Sequence, residues 1–186
     1  MSTYHPPIQV RPTSVTISSQ SLESIGIQTR TLVATAYAST AFPSANRVIL
    51  VPFTLTNVTT FASLAVANGA TVSGNFDIGI YDTGGGSATL NRLVSTGSTA
   101  QSGTNVPQSV AASFTLGPGT YFAALCCDNT TATFLAKTPS AAGVGAAQII
   151  REVADNGSVT LGATLTVIPL ATAYVPLFGP SQKATV

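Results

Sequence analysis

Apolar and polar residues alternate with a period of two along nearly the whole chain, and a helical period appears almost nowhere. Successive side chains of a strand point to opposite faces, so this pattern predicts an all-β fold of half-buried strands. Residues Asn75 to Asp82 (NFDIGIYD) place Phe76, Ile78 and Ile80 on one face and Asp77, Gly79 and Tyr81 on the other, before Gly84-Gly85-Gly86 breaks the strand. Val110, Ala112, Phe114 and Leu116 repeat the pattern, and Gly117-Pro118-Gly119 supplies a turn. The next strand, Thr120 to Cys127, is apolar on both faces, the mark of a central, buried position. Further strands are expected at Ile25 to Thr35, Arg47 to Leu55, Phe61 to Val66, Leu90 to Ser95, Thr131 to Ala136, Ser158 to Ile168 and Thr172 to Phe178. One short helix is predicted over Ala146 to Ala154, where Ile149, Ile150 and Val153 share a face and Asn156-Gly157 offers a stop. About nine or ten short strands separated by turn signals predict an antiparallel β-sandwich or jelly roll.

The 186 residues suffice for one domain with a substantial core, expected over residues 21–186. Residues 1–20 read as an extended arm: they hold three prolines and a Ser/Thr-rich run, and Ile8, Val10, Val15 and Ile17 alternate with no turn to fold them back. Those four aliphatics are the candidate contact residues of the arm.

Charge narrows the partners. Charged residues make up 7% of the chain, against roughly 25% in an ordinary soluble domain. The polar surface therefore comes from 28 threonines and 19 serines, about a quarter of the chain. Such a surface hydrates poorly alone and packs easily against neighbours, as a subunit of a larger assembly does. The seven basic residues, Arg11, Arg30, Arg47, Arg92, Lys137, Arg151 and Lys183, are scattered and form no stripe for phosphates, so nucleic acid is not an expected partner. The longest strongly apolar run, Val48 to Phe53, is far short of the roughly 20 residues that span a bilayer. The opening Met1-Ser2-Thr3-Tyr4-His5-Pro6-Pro7 has neither a basic start nor an apolar run, so no secretion signal is expected there.

Catalytic groups are sparse. The single histidine, His5, sits in the arm, poor ground for a preorganised triad. Cys126 and Cys127 are adjacent and should point to opposite faces as two buried thiols. Of the six carboxylates only Asp77 and Asp82 cluster, together with Tyr81, on and beyond one strand face. Three readings of that cluster stand: turn-forming carboxylates that accept backbone N–H bonds, a calcium site completed by loop carbonyls, or a ligand face with Tyr81 as an exposed ring for carbohydrate, although a single tyrosine on a sheet face is more often packed under a loop. The chain is expected to be no enzyme and to need no cofactor.

The stretch from Asn46 through Phe134 resembles a domain of structural proteins in tailed bacteriophage virions. The resemblance rests on Asn46-Arg47-Val48-Ile49-Leu50-Val51-Pro52-Phe53, on Val66-Ala67-Asn68-Gly69-Ala70 followed by Val72-Ser73-Gly74-Asn75, and on the strand at 76–82. It continues through Leu93 to Gly103, LGPGTYFAAL at 116–125 and Asp128-Asn129-Thr130-Thr131. Proteins of this kind are β-sandwich or jelly-roll modules used as head decoration, tail or fibre components, and the resemblance implies no catalytic residues. It implies a place in the virion, with other virion proteins and copies of the chain itself, in a trimer or symmetric ring, as partners. Head decoration is the leading expectation; a tail or fibre module that binds host carbohydrate is the alternative.

Overall fold

The computed structural model describes residues 37–83, 88–137, 151–169 and 174–182. Every regular element among them is a β-strand. In chain order these are β1 (Ala38–Ala41), β2 (Val48–Leu55), β3 (Thr59–Ala67), β4 (Asn75–Asp82), β5 (Thr89–Ser95), β6 (Thr99–Ala100) and β7 (Pro107–Leu116). There follow β8 (Gly119–Cys127), β9 (Thr133–Lys137), β10 (Arg151–Val153), β11 (Thr164–Thr166), β12 (Ile168–Pro169), β13 (Val175–Pro176) and β14 (Phe178–Ser181).

The larger sheet has the order β11-β5-β4-β8-β2-β10-β12, antiparallel throughout. Only Val167 separates β11 from β12, yet β11 pairs with β5 at one end of the order and β12 with β10 at the other. The sheet therefore curls until its two ends meet at Val167, which leaves only short end strands as edges among the described residues. Its central strands are apolar on both faces for this reason. Ile49, Ile78, Leu125 and Cys127 look outward into the sandwich core, while Val48, Leu50, Ala124 and Cys126 look into the curl.

The second layer combines β1-β9-β13 with β14-β3-β7. Leu177 splices them: its N–H donates to Leu135 O on the β9 side and its carbonyl accepts from Ala67 N on the β3 side, both at 2.9 Å. Phe134 meets Phe42, which follows β1 in its own layer, and Phe76 of β4 across the layers, both edge to face, with ring centroids 5.8 and 6.4 Å apart. Aromatic rings favour this geometry because the positive edge of one faces the negative face of the other.

The all-β antiparallel sandwich matches the alternation, and the 75–82 strand has the predicted limits. Four expectations need correction or fall outside the described residues. The helix over 146–154 is not formed where the structure describes it: Arg151–Val153 is strand β10, paired with β2 and β12. Three residues are too few to show a period, and pairing with the edge of β2 overrides the local helical pattern. The strand over 158–168 shrinks to β11 and β12, because its first residues form a loop pinned by local bonds. In that loop Asn156 Nδ2 donates to Ser158 O at 2.9 Å and Thr160 O at 2.8 Å, and Asp155 Oδ1 accepts from Gly157 N. The arm with Ile8, Val10, Val15 and Ile17, and the strand over 25–35, lie outside the described residues.

Candidate functional site

Asp77 and Tyr81 share one face of β4 with Gly79, as the alternation requires, but that face looks into the curled sheet. Both side chains are fully buried, and the loop at residues 155–163 covers them. Leu161, itself buried, seats over Gly79, where a Cβ would come within 2.9 Å of Leu161 Cδ1 and 3.0 Å of Val94 O. A glycine lets Leu161 seat there without displacing either neighbour.

Asp77, Tyr81 and Arg92 fasten the end of the loop that lies over this face. Leu161 N donates to Asp77 Oδ2 at 2.9 Å, Tyr81 Oη donates to Gly162 O at 2.6 Å, and Arg92 donates through a guanidinium nitrogen to Leu161 O and through its backbone N–H to Ala163 O. The Asp77 carboxylate is completed by Ser95 Oγ at 2.8 Å and Thr96 Oγ1 at 3.0 Å. A buried carboxylate stays in place only when its oxygens are met in this way. Burial pushes the Tyr81 phenol above its ordinary range, with Arg92 opposing the shift. The phenol therefore remains a hydrogen-bond donor at neutral pH.

Of the three readings of the cluster, this geometry gives Asp77 a structural one: it accepts an N–H bond from a distant loop. Tyr81 is not the exposed ring that the ligand-face reading needs: the 155–163 loop packs over it, the commoner fate of a lone tyrosine on a sheet face. Asp82 is half buried at the end of β4, apart from the covered face. The other tyrosines are also dispersed. Tyr174 is buried against Phe42, the Tyr121 hydroxyl donates to Gly117 O, and Lys137 Nζ lies 4.5 Å over the Tyr37 ring. Among the described residues they make no aromatic platform, and no three His, Cys, Asp or Glu side chains come together.

A second bracket joins β4 to β8. Asp128 accepts from the backbone N–H and the side-chain amide of Asn75, each at 3.0 Å, and from Asn129 Nδ2. Although burial raises its pKa, the hydrogen bonds from Asn75 and Asn129 outweigh this and hold the carboxyl below its ordinary range. A Cβ at Gly74, whose φ is +63°, would run into Asp128 and Asn129, so the turn needs glycine twice over.

Cys126 points into the curl and Cys127 into the sandwich core, both free and buried. Burial pushes the Cys126 thiol up to about 12 and the Cys127 thiol up to about 11. Thiolates are the reactive form, so neither should react with a disulfide reagent at pH 8 in the folded protein, and two equivalents should react after denaturation. Rapid native labelling of either thiol contradicts this placement.

The described surface is distinguished by what it lacks. No charged residue occurs from Leu93 to Cys127. Within that run the outward row of β7, Pro107, Ser109, Ala111, Ser113 and Thr115, is exposed, and Thr60 Oγ1 and Thr115 Oγ1 pair at 2.9 Å on its flank. Sequence reading missed the Arg47–Glu152 ion pair, because its partners are 105 residues apart and nothing local marks either one. No protein-family model, curated protein or solved structure matches this chain.

Proposed function

We propose that this chain is a structural subunit of a tailed-bacteriophage virion, a capsid decoration protein that stabilises the particle through contacts between subunits. The observation that carries this reading is the uncharged, hydroxyl-bearing surface along β7. Joining such a surface to a neighbour strips no ion of its water, and each hydroxyl can donate or accept at the new contact. Exposed Val58, Leu93, Val106 and Ile168 add apolar area to be covered. Binding that favours the assembled shell then stabilises it by mass action. The partners are other virion proteins and copies of the chain. The carbohydrate-attachment alternative needs an open aromatic face at Asp77, Tyr81 and Asp82, and with Tyr81 inside the curled sheet no observation favours it.

Antibody labelling of purified particles tests the reading directly. Regular labelling over the head is expected, and a chain absent from particles overturns the proposal. Deleting residues 1–20 tests the arm's share in docking: incorporation should fall, and full occupancy by the truncated chain would show that the arm is not needed.

A further inference from the structure

We infer that the outer edge of β7 receives an added β-strand, and that this strand is the Ile8–Ile17 segment of a neighbouring copy of the chain. The inference deepens the assembly reading and rests on it for the source of the strand.

The receptor is visible in the sheet order. Among the described residues the larger sheet ends at the short strands β11 and β12, of three and two residues, and the second layer ends at β1, of four residues, and at β7, of ten. Among the described residues β7 pairs only with β3. An edge this long presents a row of backbone donors and acceptors, and proteins ordinarily guard it with charged side chains. β7 carries none. On its inner face Val110, Ala112 and Phe114 pack against the rim of the sandwich core and are only half buried. A strand laid beside them would satisfy the backbone row and cover apolar rim together, which is the recognition mode of β-strand addition.

The occupant is named by length, pattern and charge. Ile8 to Ile17 is a ten-residue segment, matching β7, with aliphatics at 8, 10, 15 and 17. The phase of alternation switches between Val10 and Val15, around Pro12, and a bulge there would restore it, a position where proline is tolerated. Arg11 and Pro12 are the guards that β7 lacks, so the added strand would present an edge that accepts no further strand and the pairing would be self-limiting. Fully extended, the chain from Ser18 to Tyr37 spans about 65–70 Å, enough to reach a neighbour. Pairing two copies of β7 antiparallel about Ala111 fits less well, since Phe114 would face Gln108. The Gln108 side chain is already engaged by Asn68, Ser102 and Ala100.

Amide hydrogen exchange and sedimentation of the full-length chain test the inference. In the unmodified chain the β7 amides should be protected and the mass should exceed one chain. Val15→Asp with Ile17→Asp should raise β7 exchange about tenfold or more and reduce the mass to one chain, while β4 and β8 amides keep their protection and so report an intact fold. Ala112→Lys should do the same from the receptor side, and mixing it with the Asp variant should restore association, because the unaltered arm of the Lys variant then meets the unaltered β7 of the Asp variant. Unchanged β7 exchange in the Asp variant overturns the inference. Association that survives the Asp variant overturns it in favour of edge-to-edge pairing of β7, and protected β7 amides in a monomer overturn donation between copies. A chain that pairs in this way yet is absent from particles sinks the virion reading and leaves the pairing standing.

Discussion

Replacing Glu152 by alanine is expected to lower the unfolding free energy by about 3–5 kcal/mol, read as a shift of the urea midpoint. Glu152 is 1% exposed, and its Oε1 lies 2.8 Å from a guanidinium nitrogen of Arg47. Removing the carboxylate strands a largely buried cation, whose Nη1 loses this bond and whose Nε already has no hydrogen-bond partner among the described residues. The desolvation cost of both charges remains in the wild-type balance, so replacing the pair should differ from breaking it. Arg47→Met combined with Glu152→Leu should recover most of the loss, because two apolar side chains of similar volume need no counter-ion. A single-variant loss below about 1 kcal/mol, the range of exposed pairs, would show that the contact is a surface one.

Asp77→Ala is the second large effect, with an expected loss of about 3 kcal/mol. The substitution leaves Leu161 N–H and the Ser95 and Thr96 hydroxyls without their acceptor beneath the 155–163 loop. Each unsatisfied buried donor costs about 1–3 kcal/mol, but the hydroxyls can turn to other acceptors and offset part of it. Asp77→Asn, which keeps one acceptor oxygen, should lose roughly half as much. The local signature is exchange at the Leu161 amide: it should quicken more than amides of β2 or β8. If that amide stays as protected as before, the loop is held by Leu161 packing and the Tyr81–Gly162 bond instead.

Alternation made much of this architecture readable in advance. The strand over 75–82 and the two-faced apolar character of 120–127 follow from period two, and so does the opposite placement of Cys126 and Cys127. Where reading failed, the deciding partner lay far along the chain. Alternation places Tyr81 on the correct face of β4, and a lone tyrosine there is more often packed under a loop than exposed, yet nothing near it indicates that the covering loop comes from residues 80 positions later. Strand β10 was hidden because a three-residue strand exists only by pairing with β2. The Arg47–Glu152 pair was hidden because one ion in a local window looks the same whether solvated or buried.

Local order therefore settles the longer strands and which way their side chains point, since both depend on sterics between immediate neighbours, whereas short strands such as β10 form only where a distant partner pairs with them. What covers each face is decided by the path of the chain in space. The crossing at Val167, which ties opposite edges of one sheet, and the splice at Leu177, which joins the two halves of the other layer, turn a set of half-buried strands into one with two cores. Both depend on hydrogen bonds between segments distant in sequence, and no local periodicity records such bonds.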